Sequence, residues 1–478
     1  MPYLPNILFF IALAAGVGFF VFNVRKLVRN IKMGRDVDVS DHKPQRWKNM
    51  AKIALGQYKM VRRPISGIVH VFVYIGFVII NIEVLEIIID GLFGTHRVFS
   101  FMGGFYDFLI ASFEIFGFLV LAGVIIFWLR RNVVRIKRFW QSDLKGWPKL
   151  DANLILYFEV VIMCLFLTMN AADLQLQLQG AAHYTASGGI MGNFPVSQFI
   201  APLFETMSVS SLIILERTAW WLHILGILFF LNYLYYSKHL HILLAFPNTY
   251  YGRVRPQGQF DNLQSVTDEV KLMMDPEADP YAAPAGDDDM EIPEKFGASD
   301  ATDLNWVQLL SAYTCTECGR CTSECPANQT GKKLSPRKIM MDTRDRIEEI
   351  GKNIDENKGQ FKDDGKQLLN DYITPEELWA CTTCNACVEA CPVSINPLSI
   401  IMDMRQYLVM EQSAAPAELN NAMTNIENNA ASVLEVKKQM IWPSSYHLFN
   451  VFSASGKGLQ VAIRSGSSLG TSSVMVPS

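Results

Sequence analysis

The chain has 478 residues and a formal net charge of −4, so it carries no excess of positive charge for binding nucleic acid. Half of its residues are hydrophobic and its mean hydropathy is +0.17, which are high values for a wholly soluble protein. We therefore expect two or three domains, at least one of them embedded in membrane lipid, and no nucleic-acid partner.

Five apolar stretches in the first half of the chain are long enough to cross a bilayer as helices, which takes about 20 residues each. They lie at residues 3–24, 65–89, 105–129, 153–172 and 210–236. Basic residues follow the first stretch instead of preceding it, which is not the pattern of a cleaved signal peptide. The sequence therefore predicts a five-helix transmembrane domain over residues 1–255.

The charge pattern predicts how these helices are oriented. Lys and Arg are concentrated at residues 25–63, at residues 130–149 and after the fifth helix, whereas residues 174–216 contain neither. Because cytoplasmic loops carry the excess of Lys and Arg, we expect the N-terminus outside and the chain after the fifth helix in the cytoplasm. The predicted location is the cytoplasmic (inner) membrane of a bacterium or archaeon.

Four histidines lie in or beside these helices. His70 is in the second helix, His223 is in the fifth, and His239 and His241 follow the fifth. An imidazole facing hydrocarbon is costly, so histidines at such depths usually face the bundle interior and carry function. Paired ligation of haem iron is one such function, and packed histidines bonded to their neighbours are the alternative. A continuous helix would place His223 and His241 on one face, about 27 Å apart.

Several carboxylates accompany the same helices: Glu83, Glu86, Asp90, Glu114 and Glu159. Acids within a membrane often relay protons, and a quinol releases two protons when it is oxidised. We expect Glu86 and Asp90 to be solvated at the outer interface. For Glu114 and Glu159, a proton or quinone role and a satisfied polar contact both stay open.

The helices and histidines together resemble the cytochrome b subunit of respiratory nitrate reductase and its relatives in membrane-bound heterodisulfide reductases. The resemblance is carried by Gly67-Ile-Val-His70 with Gly76-Phe77, and by Trp221-Leu-His223 followed by Ser237-Lys-His239-Leu-His241. It implies one or two haem b groups and a quinone substrate. It also implies that His70 pairs with His223.

A second haem stays open in this resemblance. In the family, the second helix supplies two histidines ten residues apart, and this chain has Met60 in the place of one of them. His239 or His241 would then need another ligand. Met60 is a candidate, since a thioether ligand would raise the haem potential.

Two cysteine runs in the second half follow the bacterial ferredoxin ligand pattern, in which three cysteines at two-residue gaps precede a Cys-Pro pair. In two-cluster ferredoxins, the fourth cysteine of each run ligates the other cluster. We therefore expect one [4Fe-4S] cluster on Cys315, Cys318, Cys321 and Cys391, and the other on Cys381, Cys384, Cys387 and Cys325. Zinc, which favours two separated cysteine pairs, is the alternative metal.

Helices are predicted on either side of each cysteine run. Ser335-Pro336 and Asn396-Pro397 each combine an N-cap residue with Pro at the first helical position, and Thr374-Pro-Glu-Glu377 forms a capping box. No strand is expected, so the predicted fold class is all-α. Residues 304–413 resemble the α-helical ferredoxins of heterodisulfide reductase and succinate dehydrogenase iron-sulfur subunits.

The remaining segments have compositions typical of connectors. Residues 256–303 are polar and acidic, which favours an extended linker. Residues 414–478 form a C-terminal extension whose end, from residue 452, is rich in Ser and Gly and is predicted to be a flexible tail.

The sequence offers no Ser/His/Asp arrangement, phosphate loop or dinucleotide fingerprint, so no catalytic residue is assigned. It predicts an electron-transfer subunit of a quinone-linked oxidoreductase. Electrons would pass between the quinone pool, through haem b, and a cytoplasmic partner, through two [4Fe-4S] clusters. The partner would be a cysteine-rich disulfide-reductase-like subunit, a flavoprotein or a hydroxyacid dehydrogenase. The alternative is a membrane-anchored iron-sulfur protein without haem, acting in redox sensing or cofactor maturation.

Overall fold

The structure is a computed structural model that describes residues 3–185, 190–260, 262–275 and 295–429. Residues 261 and 276–294 of the predicted acidic linker and the whole predicted Ser/Gly-rich tail lie outside the described residues. Contacts divide the chain into two units, residues 1–407 and residues 408–478. The predicted transmembrane and cysteine-rich regions, up to residue 407, thus belong to one unit.

The described residues are mostly helical and contain no extended strand, which confirms the all-α fold class. The α-helices are α1 Leu4–Lys32, α2 Lys43–Met50, α3 Pro64–Phe93, α4 Gly104–Asn132, α5 Trp147–Leu178, α6 Val209–Tyr233, α7 His241–Tyr251, α8 Gln264–Met274, α9 Trp306–Thr314, α10 Arg320–Glu324, α11 Pro326–Gln329, α12 Pro336–Glu356, α13 Leu368–Asp371, α14 Pro375–Trp379, α15 Ala386–Ala390, α16 Pro397–Gln406 and α17 Ala417–Asn429. Shorter 3₁₀ turns join several of these helices, and α6 continues through one of them, Leu234–Tyr236.

Helices α1, α3, α4, α5 and α6 are long and apolar enough to cross a membrane, which confirms the five predicted spans. Their outward faces carry exposed apolar side chains such as Phe10, Ile68 and Phe118. Several helices run beyond the predicted apolar stretch, because polar residues continue the helical turn past the hydrocarbon. One end of the bundle carries the Lys- and Arg-rich loops and is called the basic end, and the opposite end is called the distal end.

Small residues allow the spanning helices to approach closely. A Cβ atom at Gly76 of α3 would lie 2.5 Å from the Val120 side chain of α4, and one at Gly117 of α4 would lie 2.8 Å from the Phe166 ring of α5. Glycine is favoured at such contacts because packing, more than the hydrophobic effect, holds helices together in lipid.

Helix α6 ends before the last two membrane-region histidines. The 3₁₀ turn stops at Tyr236, and Ser237 takes an extended conformation with φ −116° and ψ 145°. The Ser237 hydroxyl then accepts a hydrogen bond from the His239 N–H and starts a new turn, after which α7 begins at His241. The expectation that His223 and His241 share one continuous helix face is therefore wrong.

The cysteine-rich region is helical in the way its sequence predicts. The Ser335 side chain accepts from Lys338 N at the start of α12, and the Asn396 side chain accepts from Ser399 N at the start of α16. The capping box of Thr374 and Glu377 is present at α14. These caps confirm the predicted helix starts.

This region packs directly against the basic end of the bundle. The guanidinium of the fully buried Arg337 in α12 donates to Asp143 Oδ1 at 2.5 Å, to Gln141 Oε1 at 2.8 Å and to the Arg138 carbonyl oxygen at 2.8 Å. On the other side, Asn30 of α1 donates to Tyr313 Oη at 3.1 Å. The cysteine-rich region is thereby held on the loops between the spanning helices.

Candidate metal-binding sites

The two cysteine runs have the same local structure. In each run, the residue two positions after the first cysteine has a positive φ, 54° at Glu317 and 56° at Thr383. A second residue with positive φ comes directly before the short helix, Gly319 (φ 70°) before α10 and Asn385 (φ 60°) before α15. Such left-handed residues turn the chain around a common centre. Main-chain N–H groups point at sulfur in this arrangement, as in Thr383 N to Cys381 Sγ at 3.4 Å.

The fold brings the eight cysteines together in two groups that cross between the runs. Burial, with smaller contributions from the neighbouring Cys318 and Cys391, raises the pKa of Cys315 to about 12. Burial likewise raises the pKa of Cys387 to about 12, with contributions from Cys381 and Cys325. Cys391 of the second run thus lies near Cys315 of the first, and Cys325 of the first lies near Cys387 of the second. The two crossed ligand sets stay a prediction.

Neither group, in the part of the chain that the structure describes, forms a closed site for a single metal ion. Across the described ranges of the chain, no three His, Cys, Asp or Glu side chains stand close enough together to hold one metal ion. Cysteines around a four-iron cube bind its separate corners and stand further apart than the ligands of one tetrahedral zinc ion.

The two groups differ in one exposed cysteine. Each has two buried cysteines, Cys315 and Cys391 in the first and Cys325 and Cys387 in the second, and the loop of the first group faces the basic end of the bundle. In the second group, Cys384 is exposed. The second group is therefore the one with an edge open to solvent.

At the basic end of the bundle, the rings of His70 and His241 face each other. Their centroids lie 6.4 Å apart and their planes are inclined by 41°. The Nδ1–H of His241 donates to the Lys238 carbonyl oxygen at 3.1 Å, and His70 Nδ1 is buried without a hydrogen-bond partner among the described residues. Two imidazoles in this arrangement can hold one metal ion between them.

His239 stands beside this pair without facing His70. Its ring contacts the edge of the His241 ring, with centroids 5.5 Å apart, and packs against Phe230. Its Nε2 lies 3.7 Å from Glu159 Oε1. Burial lowers the pKa of His239 to about 3, so the ring is neutral and suits a packed position.

His223 is not the partner of His70. It lies thirteen residues before the end of the span at Tyr236, or about 20 Å from the basic end, whereas His70 is only six residues, or about 9 Å, from the start of α3. The Nδ1–H of His223 donates to the Ile162 carbonyl oxygen at 3.1 Å, and its ring packs against Phe166. The structure therefore places His70 beside His241 and not beside His223, because the two helices hold His70 and His223 at different depths.

Met60 is engaged by the cysteine-rich region. Arg320, which precedes Cys321, donates to Met60 Sδ at 3.0 Å, to the Met60 carbonyl oxygen at 3.2 Å and to the Lys59 carbonyl oxygen at 3.1 Å. The Met60 thioether, a candidate haem ligand in the sequence analysis, therefore contacts the guanidinium of Arg320.

A cavity of about 390 Å³ opens at the distal end between α1, α3 and α6. Phe9, Trp220 and Trp221 supply apolar walls, and Glu83 lines it with a buried Oε2 that has no hydrogen-bond partner among the described residues. The cavity also contains polar residues that the sequence analysis did not single out: His96, Arg97, Asp173 and His183.

These polar residues form a buried network. Arg97 donates to Asp173 Oδ2 at 2.5 Å, and the His96 Nε2–H donates to Asp173 Oδ1 at 3.1 Å. Tyr106 donates to Glu86 Oε2 at 2.9 Å, so Glu86, which is 3% exposed, is not solvated as expected. Arg97 is the only Lys or Arg between residues 64 and 129. This isolated positive charge is the sequence feature that could have pointed to a buried polar network here.

Glu114 has a structural contact at the same end. Its Oε2 accepts hydrogen bonds from Val196 N at 2.8 Å and from Ser197 N at 3.0 Å. These bonds hold the long distal loop onto α4. The sequence analysis left open a proton or quinone role and a satisfied polar contact for Glu114, and the polar contact is present.

Comparison with known proteins identifies the cysteine-rich region. The family model of a 4Fe-4S dicluster domain matches residues 314–395. The chain is 28% identical to the probable iron-sulfur-binding oxidoreductase FadF of Bacillus subtilis, covering 88% of this chain and 58% of that protein. It is 26% identical to the EtfAB:quinone oxidoreductase of Syntrophomonas wolfei, covering 79% and 50%. It is also 27% identical to an iron-sulfur subunit of the CoB–CoM heterodisulfide reductase of Methanopyrus kandleri, covering 28% and 60%.

No solved structure matches the chain. The chain spans 58% and 50% of the lengths of the first two of these relatives. The similarity to an iron-sulfur subunit of heterodisulfide reductase confirms that part of the sequence-based resemblance. Taken with the five apolar helices, the matches show a membrane protein with a two-cluster [4Fe-4S] domain, similar to iron-sulfur oxidoreductases and built for electron transfer.

Proposed function

We propose that the chain transfers electrons between the membrane quinone pool and a soluble redox partner, through one haem b held by His70 and His241 and through the two [4Fe-4S] clusters. The observation that carries the proposal is the facing pair of imidazoles, 6.4 Å apart, beside the first cysteine group. Bound haem and clusters would supply the one-electron chemistry, and the protein supplies their spacing and environment.

The histidine geometry fits a metal between the two rings. A metal–imidazole nitrogen distance of about 2 Å on each side puts the ring centres roughly 6 Å apart. His241 donates its Nδ1–H to a main-chain carbonyl, which leaves Nε2 for the metal, as is usual for ligating histidines. The buried, unbonded ring nitrogen of His70 is a further feature of a histidine reserved for a ligand.

The order of the centres follows from the contacts around them. Arg320, in the first cysteine run, contacts the chain just before α3, which carries His70. Lys238, three residues before His241, contacts Glu317 between the first two cysteines of that run. The first cluster, on Cys315, Cys318, Cys321 and Cys391, would therefore exchange electrons with the haem. The second, on Cys381, Cys384, Cys387 and Cys325, would exchange electrons with the partner at its exposed edge.

The distal cavity is the proposed quinone site. Its aromatic walls suit a ring, and the unbonded Glu83 carboxylate suits a quinol hydroxyl, because small-molecule pockets combine apolar walls with a few polar groups. Glu83 would accept a proton as the quinol is oxidised. It lies thirteen residues beyond His70, about 20 Å along α3. The name of the Syntrophomonas relative, a quinone oxidoreductase, supports the substrate class.

The soluble partner would bind on the cytoplasmic side, since the cysteine-rich region sits on the Lys- and Arg-rich end of the bundle. That orientation puts the N-terminus and the quinone cavity at the outer side of the membrane. The partner class remains a cysteine-rich disulfide-reductase-like subunit, a flavoprotein or a hydroxyacid dehydrogenase.

The test uses the full chain, solubilised in detergent. We expect b-type haem absorption at about one haem per chain, with about eight iron atoms in the clusters, and reduction of the haem by menaquinol or ubiquinol. Cluster iron without haem absorption would contradict the proposal and would favour a membrane-anchored iron-sulfur protein for redox sensing or cofactor maturation. Haem that no quinol reduces would contradict the quinone part alone.

A further inference from the structure

We propose that Lys238 is a positioning residue that fixes the haem-ligand histidine and the first cluster-binding loop relative to each other. Its main-chain carbonyl oxygen receives the hydrogen bond of His241, and its side-chain ammonium binds Glu317 inside the cysteine run. The inference rests on the proposed haem ligation by His70 and His241.

The main chain of Lys238 is held from both sides. Lys238 N donates to Asp151 Oδ2 at 3.2 Å, and Tyr233 Oη donates to Asp151 Oδ1 at 2.6 Å. The carboxylate of Asp151, which is 1% exposed, thus anchors the turn after α6 to the start of α5. The Lys238 carbonyl oxygen sets the orientation of the His241 ring. The contact with Asp151 therefore also constrains the orientation of His241, the proposed metal ligand.

The side chain of Lys238 lies near the same carboxylate, with its Nζ 3.7 Å from Asp151 Oδ2. Its Nζ donates to the Pro148 carbonyl oxygen at 2.7 Å and forms an ion pair with Glu317. The side-chain exposure is 10% for Lys238 and 3% for Glu317, so this ion pair is largely withdrawn from solvent.

Glu317 is held tightly at the other end of this ion pair. It is 5% exposed, and Arg344 Nη1 donates to its Oε1 at 2.9 Å. Its backbone has φ 54°, a left-handed conformation that is costly for a glutamate and persists only where the surroundings impose it. Lys238 and Arg344 hold the Glu317 carboxylate between Cys315 and Cys318.

A single lysine thus joins two sites that the chain otherwise builds from segments far apart in sequence. Arg344 also binds Glu317 but comes from α12 and has no described contact with the turn that bears His241. The two cations can therefore be separated by mutation: both hold the cluster loop, and Lys238 alone also holds the histidine turn. Sites of this kind require supporting residues that fix their geometry.

The test compares Lys238→Met with Arg344→Met in the full chain, with Lys333→Met as the control, because Lys333 is a surface lysine paired with the exposed Glu376. The readouts are the electron paramagnetic resonance spectra of the haem and of each cluster, the haem reduction potential and the rate of haem oxidation by the clusters. We expect Lys238→Met to change the haem and first-cluster spectra and to slow electron transfer by roughly 10- to 100-fold, the range that misplacement of a reacting group produces. Arg344→Met should change the first-cluster spectrum alone, and Lys333→Met should change nothing.

Lys238→Arg keeps the charge and should restore most of the rate and the wild-type haem spectrum. Glu317→Gln, which removes the ion pair while keeping the side-chain size, provides a second route should Lys238→Met fail to fold, and it should change both spectra. An unchanged haem spectrum in both Lys238→Met and Glu317→Gln would overturn the inference. So would identical effects of Lys238→Met and Arg344→Met on the haem. Absence of haem from the wild-type chain would instead contradict the proposed function.

Discussion

Replacement of His241 by alanine tests the histidine pair directly, with His223→Ala as the matched control. Both substitutions remove one buried or half-buried imidazole from the same part of the chain. The structure places only His241 opposite His70, at a centroid distance of 6.4 Å, whereas His223 bonds to the Ile162 carbonyl oxygen. The two variants should therefore differ in haem content and resemble each other in cost to folding.

The expected magnitudes follow from these contacts. Loss of a residue that merely supports a metal ligand weakens metal binding by about 10- to 100-fold, so loss of the ligand itself should exceed that range. We expect His241→Ala, like His70→Ala, to purify with less than a tenth of the wild-type haem. His223→Ala loses one hydrogen bond and some packing, which lowers the free energy of unfolding by about 1–3 kcal/mol. Its haem content should stay at the wild-type level.

The assay is the haem content per chain, measured from the reduced spectrum, together with iron content to confirm that the clusters are intact. Retention of haem in His241→Ala would refute the ligand assignment. Loss of haem in His223→Ala, with intact clusters, would restore the pair that the family resemblance implies.

Three further perturbations test the other sites. Cys391→Ser should lose the cluster that is bound by the first cysteine run, and Cys325→Ser should lose the cluster that is bound by the second. Each variant should keep about four of the eight cluster iron atoms. Loss of the cluster that is bound by the mutated run itself would contradict the crossed ligand sets. Glu83→Gln should slow haem reduction by menaquinol by about 100-fold while leaving dithionite reduction unchanged, and an unaffected menaquinol rate would exclude Glu83 as the proton acceptor. Arg337→Ala removes the ion-pair partner of Asp143, which keeps only its bond from the Ser335 hydroxyl, so thermal bleaching of the clusters should occur at a lower temperature, in line with a loss of at most about 3–5 kcal/mol. An unchanged bleaching temperature would show that this contact does not hold the cysteine-rich region in place.

The acidic residues show how far sequence position alone can mislead. Glu86 lies near the end of a predicted span, where solvation was expected, but Tyr106 and the Phe99 N–H bond to its carboxylate in a buried network. The partners come from the loop and helix that follow, and hydropathy does not predict how a loop folds back. His96 and Asp173 escaped notice for the same reason, because 77 positions separate the two residues that form the hydrogen bond.

The sequence by itself determined the features that depend on local pattern. Five apolar stretches of sufficient length became five spanning helices, and caps at Ser335, Thr374 and Asn396 started the helices they predicted. The spacing of the cysteines indicated two clusters, because the ligands of each run lie within one tight loop. These properties require no knowledge of what lies across the bundle.

Only the tertiary structure decided which histidines face each other. The extended conformation of Ser237 ends the helix before His241 and turns that side chain toward His70, while the depth of His223 places it among the side chains of α5. The contact of Lys238 with Glu317 likewise joins segments 79 positions apart. Such pairings depend on where each helix ends and how deep each residue lies, and neither is encoded in the residues immediately around it.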